Sequence, residues 1–504
     1  MDVYRRAECA VQNPAYRLAH SLLHFHFLEQ WGGMKLYAAP LDFRAIAEEF
    51  SVPTDFPSEV TAQAAAAQDR YAEQRRDARD IPLVTIDPAG SMDLDQAVFI
   101  EAREGGYRVL YAIADVAAFI EPGSTLEEES LTRGQTIYLP DDPARLHPAE
   151  LSEDRASLLA DVDRPAVLWT FDLDSAGEVK DFSVERALVR SRARLDYDQV
   201  HEDLENGTLH SSIALLPQVG KLRQASSLRR EAINLRLPSQ RVSEASDADN
   251  AEEQGHYELI IEPRYEVMDY NSEISLLTGM CAGRLMESHG VGFLRTLAAA
   301  TPEAEAEFRS EAEALGFSLE GQSISEFLHS VDADSPRGMA VMREAQRLLR
   351  GADYVWLEES PADVHAGIGG YYAHVTAPLR RLIDRFATEV CLALSGGYEI
   401  PEWVRERASE VISTMRSTSQ LASQVDRACL NLTEATVLAP WEGTNFDAVV
   451  LDGGEKREKA RLFVLEPPVM GEAVGQPATG SETTVSLVKA DVAERDVLFA
   501  WPAD

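Results

Sequence analysis

Changes in residue pattern along the chain constrain its fold most strongly. Helical spacing of apolar residues is typical of the first 80 residues, and short apolar runs separated by turns follow from 81 to 194. Helical spacing returns after Asp196, and from Glu434 the pattern favours strands again. At 504 residues the chain also exceeds the usual size of one hydrophobic core, so we expect several domains.

The predicted protein is therefore multidomain and α+β. Its four segments are a helical module at residues 1–55, a linker helix at 56–80, a large α/β domain at 81–432 and a C-terminal OB-fold β-barrel at 433–504. The module would contain one helix from Pro14 to Trp31 and a second in "LDFRAIAEEFSVP", where Asp42 can cap the helix. Two short helices joined by Gly32-Gly33 indicate a helix-turn-helix-like unit. A small helical cap packed on the larger domain is an equally open interpretation.

Five short apolar runs predict the strands of the barrel. They are "EATVLAP", "NFDAVVLDGG", "KARLFVLEPP", "TTVSLVKA" and "DVLFAW". Five strands of this length are typical of a small OB-type barrel. Ahead of them, "LVTIDP", "QAVFIEA" and "YRVLYAIADV" predict a β-meander in the α/β domain.

Charge and cysteine content narrow the function classes. The formal net charge of −38 argues against loose binding to duplex nucleic acid, although it leaves room for a narrow internal channel with clustered arginine. The four cysteines are scattered and form no CxxC pair, so we expect reduced thiols. No apolar run approaches the roughly 18 residues of a membrane span, and the start lacks signal-peptide character. We expect a cytoplasmic protein without membrane contact.

One loop concentrates carboxylates. In "TIDPAGSMDLDQAVF", Asp87, Asp93 and Asp95 lie within nine residues, and Gln96 follows. Like-charge repulsion would destabilise such a loop unless a cation neutralised it, and oxygen-only ligation favours Mg²⁺, with Mn²⁺ as a substitute. The spacing excludes an EF-hand, because Ala97 and Val98 stand where that motif needs an oxygen ligand and glycine. A solvated acidic loop stays open as the simpler interpretation.

The same stretch resembles the signature of the ribonuclease II (RNB) family, in which four acids occur and the last two are adjacent. Further segments resemble that family in the family's order: "YAIADVAAFI", "GSTLEEESLTRGQTIYLPDD", "LHPAELSEDRASL", "RARLDYDQV" and "YYAHVTAPLRRLIDR". The family usually opens with two cold-shock domains, and the first 80 residues here do not resemble them.

The resemblance implies a processive 3′-to-5′ exoribonuclease that hydrolyses single-stranded RNA to nucleoside 5′-monophosphates by two-metal catalysis. By this likeness Asp87, Asp93 and Asp95 carry the metals, and Arg380 contacts the scissile phosphate. Gln96 occupies the position of the fourth acid. Its amide oxygen is either a neutral, weaker metal ligand or the replacement that has disabled the site. In the second case the protein is a catalytically impaired RNA-binding or regulatory member of the family.

The resemblance also implies RNA contacts. The residues at the corresponding positions are Tyr138, which would stack on bases, Tyr197, which would select ribose, and Arg194, Glu273 and Arg381. Two departures weaken the expected grip on the terminal nucleotides. Leu235 replaces the second aromatic of the family's base clamp, and an acid pair is reduced to Ser272 and Glu273.

Single-stranded RNA is thus the expected partner of an expected monomer. A metal hydrolase of small phosphoesters is the rival from another class. It leaves Tyr138, Tyr197 and the predicted barrel without a role.

Overall fold

The computed structural model describes most of the chain. The described residues are 37–38, 41–226, 235, 240–244, 257–261, 265–332, 335–349, 351–454, 458–465 and 469–503. The predicted helix from Pro14 to Trp31 lies outside them, so the helix-turn-helix-like module stays a prediction. The second predicted helix is confirmed as α1 (Phe43–Glu49), and the Asp42 carboxylate caps it by accepting the Ala45 N–H at 3.2 Å.

Strands are numbered here in chain order. They are β1 Tyr37–Ala38, β2 Arg76–Asp77, β3 Thr85–Asp87, β4 Gln96–Arg103, β5 Gly106–Ala114, β6 Asp163–Asp174, β7 Val179–Arg190, β8 Arg194–Asp196, β9 Gln240–Glu244, β10 Tyr257–Ile261, β11 Phe293–Thr296, β12 Asp353–Trp356, β13 Asn445–Asp452, β14 Ala460–Val464, β15 Val469–Val474, β16 Glu482–Asp491 and β17 Asp496–Ala500. The main sheet has the order β2-β7-β6-β5-β4, in which β4 to β7 form an antiparallel meander.

The strand before the acidic loop does not belong to this meander, contrary to the prediction for "LVTIDP". β3 pairs in parallel with β8, and Asp87 lies opposite Asp196. An isolated bridge between Val84 and Val98 joins this pair to β4. The acidic loop therefore crosses from one sheet to another, which lets its side chains face residues from distant parts of the chain.

Helices cover the sheet and connect it to the barrel. After α1 they are α2 Ser58–Ala66, α3 Thr125–Arg133, α4 Tyr197–Asn206, α5 Leu216–Gln224, α6 Glu266–His289, α7 Pro302–Ala314, α8 Ile324–Ser330, α9 Pro336–Ala345, α10 Leu382–Gly396 and α11 Glu402–Leu438. The α10 helix packs on β7 and α6 through an almost fully buried first half. The 37-residue α11 begins in the core of the α/β domain and ends in the core of the barrel.

The linker helix is shorter than predicted. It ends at Ala66, because Ala67 takes an extended conformation with ψ of 139°. Beyond it, the Asp69 carboxylate accepts the Tyr71 N–H at 2.9 Å and binds the Arg75 guanidinium. A side chain that bonds its own backbone two residues ahead favours a turn over a helix, and this explains the early end.

The C-terminal barrel is confirmed, but one of its strands was misassigned. The closed barrel has the order β13-β14-β15-β17-β16. "EATVLAP" is not a strand: its first five residues end α11, where Ala435 and Leu438 are buried three residues apart on one face of the helix, and Ala439 and Pro440 continue as a 3-10 turn. The missing strand is β15. Packing against the barrel decides the conformation here over the β-branched composition.

Three of the four cysteines lie within the described residues. Cys281, Cys391 and Cys429 are buried free thiols, as predicted, while Cys9 lies outside the description. Within the described parts of the chain, no helix is both long enough and apolar enough to cross a membrane.

Candidate active site

Leu94 anchors the acidic loop to the domain core. Its side chain is fully buried, its N–H donates to Ser157 Oγ at 3.1 Å, and its carbonyl accepts the Leu158 N–H at 3.0 Å. With this apolar residue fixed, the positions of Asp93 and Asp95 on either side of it are restricted. A buried leucine between two aspartates is thus what gives the loop a defined shape.

Asp95 is the most buried of the three acids and contacts the arginine segment. Its side chain is 6% exposed, Oδ1 accepts the Leu379 N–H at 2.8 Å, and Oδ2 lies 3.5 Å from Arg380 Nε. Burial raises the pKa of Asp95 well above its ordinary value, and the Arg380 guanidinium and the Leu379 N–H oppose that rise. The structure therefore brings together two motifs that lie 285 positions apart, Asp95 and Arg380.

Asp87 and Asp93 form a second part of the site. Burial, and next the Asp93 carboxylate, raise the pKa of Asp87 to about 6. Burial also raises the pKa of Asp93. The Oδ2 atom of Asp87 is buried and accepts no hydrogen bond from any described residue. A buried acid whose pKa is raised by a neighbouring carboxylate, and which keeps an unpartnered oxygen, has the chemistry of a hard-cation site.

The resemblance implies that all three acids hold the metals, but the structure does not arrange the three as one ligand group. Among the described residues, no group of three or more His, Cys, Asp or Glu side chains is arranged to hold a metal ion. Asp95 is turned to Leu379 and Arg380, which leaves Asp87 and Asp93 as the pair that fits a cation. Such a pair suits Mg²⁺, which proteins commonly bind through one or two carboxylates, with water and substrate phosphate completing its shell.

Gln96 uses both ends of its amide within the protein. Its Nε2 donates to the Thr376 carbonyl at 2.8 Å, and its Oε1 accepts a hydrogen bond from the Tyr111 hydroxyl. Thr376 is buried and precedes Leu379 and Arg380 by a few residues. The side chain expected at the metal thus contacts the backbone that leads to the arginine.

Arg380 has an exposed guanidinium on a fixed backbone. Its carbonyl accepts the Thr136 N–H at 3.0 Å, and its side chain is 44% exposed beside Asp95 and Tyr138. The two arginines that follow are different. Arg381 makes two hydrogen bonds of 2.9 Å to Asp384, and Arg385 is buried against Glu127 at 2.7 Å. Of these three arginines, Arg380 is the one placed to meet a phosphate.

Tyr197 lies close to Asp87. It begins α4, its hydroxyl accepts from Asn271 Nδ2 at 2.9 Å, and Asp87 is among the groups that raise its pKa, after burial. Arg194 reaches the acidic loop by donating to the Ser91 carbonyl at 3.1 Å. Both predicted residues are thus brought to the acidic loop through the β3–β8 pair.

The remaining predicted contacts have mixed positions. Tyr138 is 53% exposed beside Arg380, whereas Glu273 is buried within α6. Leu235 packs against the cluster formed by α7 to α9 and the barrel. Two residues at the site are not predicted from the sequence: Asn271, which contacts Tyr197, and Tyr111, which contacts Gln96. A lone polar residue in a helix or strand gives no signal of its partner when that partner is far along the chain.

Comparisons with known proteins agree with this architecture. The chain matches the RNB domain over residues 75–391 and the RNase II-type exonuclease C-terminal S1 domain over residues 444–501. The first match covers more than half of the chain. The fold and the site thus define a two-part RNB and S1 protein, and the chain belongs to the RNB family.

Curated relatives are similar over a large part of the chain. Ribonuclease R of Chlamydia trachomatis serovar D is 27% identical over 415 residues, which cover 79% of this chain and 58% of the relative. Ribonuclease R of Escherichia coli strain K12 is 30% identical over 351 residues, which cover 66% of this chain and 42% of the relative. The chain therefore spans about half the length of these relatives.

Solved structures share the fold. Mycoplasma genitalium RNase R in complex with ribose methylated single-stranded RNA has a TM-score of 0.80 at 18% identity, covering 91% of this chain and 77% of the other. Yeast Ssd1, described as a pseudonuclease, has a TM-score of 0.64 at 16% identity, covering 83% and 51%. The fold thus occurs both in an RNA complex and in a protein described as a pseudonuclease.

Proposed function

We propose that this protein is a 3′-to-5′ exoribonuclease that hydrolyses single-stranded RNA to nucleoside 5′-monophosphates. The observation that carries the proposal is the Arg380–Asp95 contact, which joins an exposed guanidinium to the acidic loop in a member of the RNB family. Membership alone does not suffice, because the fold also occurs in a pseudonuclease.

Arg380 would bind the phosphate at the bond that breaks. A guanidinium stays charged at all working pH values, and its planar fork can donate two hydrogen bonds to phosphate oxygens. The Asp95 carboxylate contacts the Arg380 guanidinium from one side. The Thr136 N–H donates to the Arg380 carbonyl and so fixes the backbone of that residue. Negative charge that develops on the phosphate would therefore meet a preorganised positive group.

Asp87 and Asp93 would hold the divalent cation, Mg²⁺ or in its place Mn²⁺. When bound, such an ion supplies positive charge to the phosphodiester and lowers the pKa of a coordinated water. The two carboxylates account for one ion. The two-metal chemistry that the family resemblance implies requires a second, and the order of the Mg²⁺ dependence distinguishes the two cases.

Tyr138 and Tyr197 would contact RNA at different points. The exposed Tyr138 would stack on a base near Arg380, since stacking tolerates any sequence. Tyr197, next to Asp87 and oriented by Asn271, would contact the ribose, with Arg194 beside it. Because Asp384 already engages the Arg381 guanidinium, we assign Arg381 to holding the segment, with Glu273 as a buried support in α6.

The test uses purified protein and a 5′-labelled single-stranded RNA of about 20 nucleotides, resolved on a sequencing gel. A ladder that shortens from the 3′ end, with mononucleotide release that depends on added Mg²⁺, supports the proposal. Single-turnover rates across a wide Mg²⁺ range report whether one ion or two are needed. An intact RNA at every Mg²⁺ and Mn²⁺ concentration would overturn it.

A second candidate is a catalytically impaired RNA-binding or regulatory protein. One observation favours it: Gln96 supplies no charge to the loop, and both ends of its amide are bonded within the protein. This candidate requires RNA binding without cleavage. Fluorescence anisotropy with the same RNA, together with the gel assay, separates the two candidates.

A further inference from the structure

Both ends of the Gln96 amide form hydrogen bonds within the protein, whereas a metal ligand would direct its oxygen to the cation. The Nε2 atom donates to the Thr376 carbonyl at 2.8 Å, while the Oε1 atom accepts from the Tyr111 hydroxyl. A carbonyl can only accept, so the atom that faces Thr376 must be the amide nitrogen. This fixes the orientation of the amide, and the oxygen that would serve as a ligand points to Tyr111.

We infer that Gln96 is a positioning residue that fastens the segment from Thr376 to Arg380 onto the acidic loop, and that it is not a ligand of the cation. The role assigned to Arg380 rests on the proposed function. The fastening itself does not, because it is a property of the folded chain.

Consecutive residues of the loop bind the two ends of one short segment. Gln96 holds Thr376 at its beginning, and Asp95 holds the Leu379 N–H and lies beside Arg380 at its end. Spacing between the acidic loop and the arginine is thus set by two adjacent side chains. Loss of either attachment would leave Arg380 with a larger range of positions.

Four side chains complete the attachment in a connected network. Tyr111 donates to Gln96 and also contacts the Ser275 hydroxyl, and Ser275 Oγ lies 2.9 Å from Thr376 Oγ1. Tyr111 and Thr376 are both buried. A buried network is stabilising only when every member is satisfied, and here the amide satisfies both the Thr376 carbonyl, as a donor, and the Tyr111 hydroxyl, as an acceptor.

The chemistry explains why glutamine, and no acid, suits this position. An ionised carboxylate cannot donate to the Thr376 carbonyl and would place two acceptors against each other. Aspartate would in addition be one methylene shorter. The replacement of the family's fourth acid is therefore a change from a charged group to a structural attachment.

Two measurements on the RNA-free protein test the inference, using Gln96→Glu and Gln96→Met. Hydrogen exchange of the peptide over residues 376–381 should become at least tenfold faster in both variants, because Ala377, Leu379, Arg380 and Arg381 all donate hydrogen bonds there. Calorimetric titration with Mg²⁺ alone should give dissociation constants within about threefold of wild type for both.

Gln63→Met is the matched control. Gln63 Oε1 accepts from Thr125 Oγ1 and from the Leu126 N–H, both at 2.8 Å, and so joins α2 to α3 as Gln96 joins its two segments. Its loss should leave exchange at residues 376–381 unchanged. If a Gln96 variant fails to fold, Tyr111→Phe removes a single hydroxyl from the network and should accelerate the same peptide by severalfold.

The outcomes separate the inference from the proposed function. Tighter Mg²⁺ binding by Gln96→Glu, by tenfold or more, would make position 96 a ligand and overturn the inference, as would unchanged exchange in the 376–381 peptide. If wild type degrades RNA, Gln96→Met should lower kcat at least tenfold with RNA affinity within threefold. If wild type does not degrade RNA, the exchange result still decides.

Discussion

Two groups of carboxylates lie near each other at one end of the β4–β5 hairpin, and their surroundings are opposite. Asp115, just after β5, binds Arg75 Nη2 at 2.8 Å and Arg186 Nη1 at 2.5 Å, and Arg186 also binds Glu389. We call these four residues the arginine-saturated cluster. The Ala114 N–H, one residue before Asp115, donates to the carbonyl of Asp95, whose carboxylate lies beside the partly exposed Arg380.

The pKa values of the acids show the difference. Although burial raises it, the pKa of Asp115 lies below its ordinary value because Arg186 and Arg75 stabilise the carboxylate. Burial raises the pKa of Asp87 to about 6 and that of Asp95 well above its ordinary value, and Arg380 only partly opposes this. Buried acids with complete partners stay charged, whereas buried acids that lack them favour a bound proton or an external cation.

Breaking the arginine-saturated cluster should have the largest effect. Asp115→Asn leaves Arg75 and Arg186 buried without their shared counter-charge, and removal of one partner from such a pair costs about 3–5 kcal/mol. The urea midpoint of the unfolding step that includes the main sheet should fall accordingly. Glu185→Gln, which breaks a half-exposed pair with Arg76 on the same sheet, is the control and should cost below about 1 kcal/mol. Equal shifts would contradict the comparison.

Removing the Arg380 side chain, the positive charge beside the acidic loop, should affect activity more than stability. Arg380→Ala should lower kcat by about 10²–10³-fold, since a preorganised charge at the reacting phosphate is lost, while RNA affinity changes severalfold. Arg405→Ala is the matched control: its side chain is also 44% exposed and also pairs with a carboxylate, that of Glu358. Equal losses in kcat and affinity would make Arg380 a binding residue only.

The acidic loop and Arg380 are predictable from the sequence because local motifs carry both. The barrel is predictable too, since its strands have a strong alternating pattern. The contacts of Asp95 with Arg380 and of Gln96 with Thr376 are not predictable, because they join residues about 280 positions apart. Arg381 and Arg385 share one motif with Arg380, and only packing against Asp384 and Glu127 distinguishes them.

Neutralising Asp87 should change stability in a pH-dependent way. Its pKa rises from an ordinary 3.8 to about 6 in the folded protein. The folded state therefore holds this proton more tightly than the unfolded chain. The associated stability is fully present below pH 3.8 and is lost as the pH rises through 6. Asp87→Asn should therefore raise the Tm of the metal-free protein at pH 8 and change it little at pH 4. The gain at pH 8 should correspond to about 1–2 kcal/mol of stability, which is less than the pKa shift alone implies because solvent screens the group.

Added Mg²⁺ is the control for this measurement. If Asp87 holds the cation, Mg²⁺ should raise the Tm of wild type at pH 8 and should raise that of Asp87→Asn much less. Asp115→Asn provides the contrast. Arginine already neutralises the Asp115 carboxylate, so Mg²⁺ should raise the Tm of this variant as much as it raises that of wild type. A variant that is destabilised equally at both pH values would show that Asp87 is a structural acid like Asp115.

The smallest expected effect concerns the aromatic side chain of each region. In the arginine-saturated cluster, the Tyr71 ring is covered by the Arg186 guanidinium at 3.6 Å. Beside the acidic loop, Tyr138 is 53% exposed, so its ring is accessible to a base. Base stacking on an aromatic contributes roughly 1–3 kcal/mol, and we expect the low end because Leu235, at the position of a second aromatic, packs elsewhere.

Tyr138→Ala should therefore leave the rate on long RNA nearly unchanged and lengthen the shortest product by one or more nucleotides. Long RNA retains its other contacts, whereas the last few nucleotides depend on each remaining one, so the loss of about 1 kcal/mol is visible only at the end of degradation. The measurement is the limit product from a 5′-labelled RNA at complete digestion. Tyr398→Ala, which removes a tyrosine that is 76% exposed at the end of α10, should give the wild-type ladder. If both variants give that ladder, the open ring of Tyr138 does not contact the terminal bases, and the acidic loop differs from the arginine-saturated cluster in charge alone.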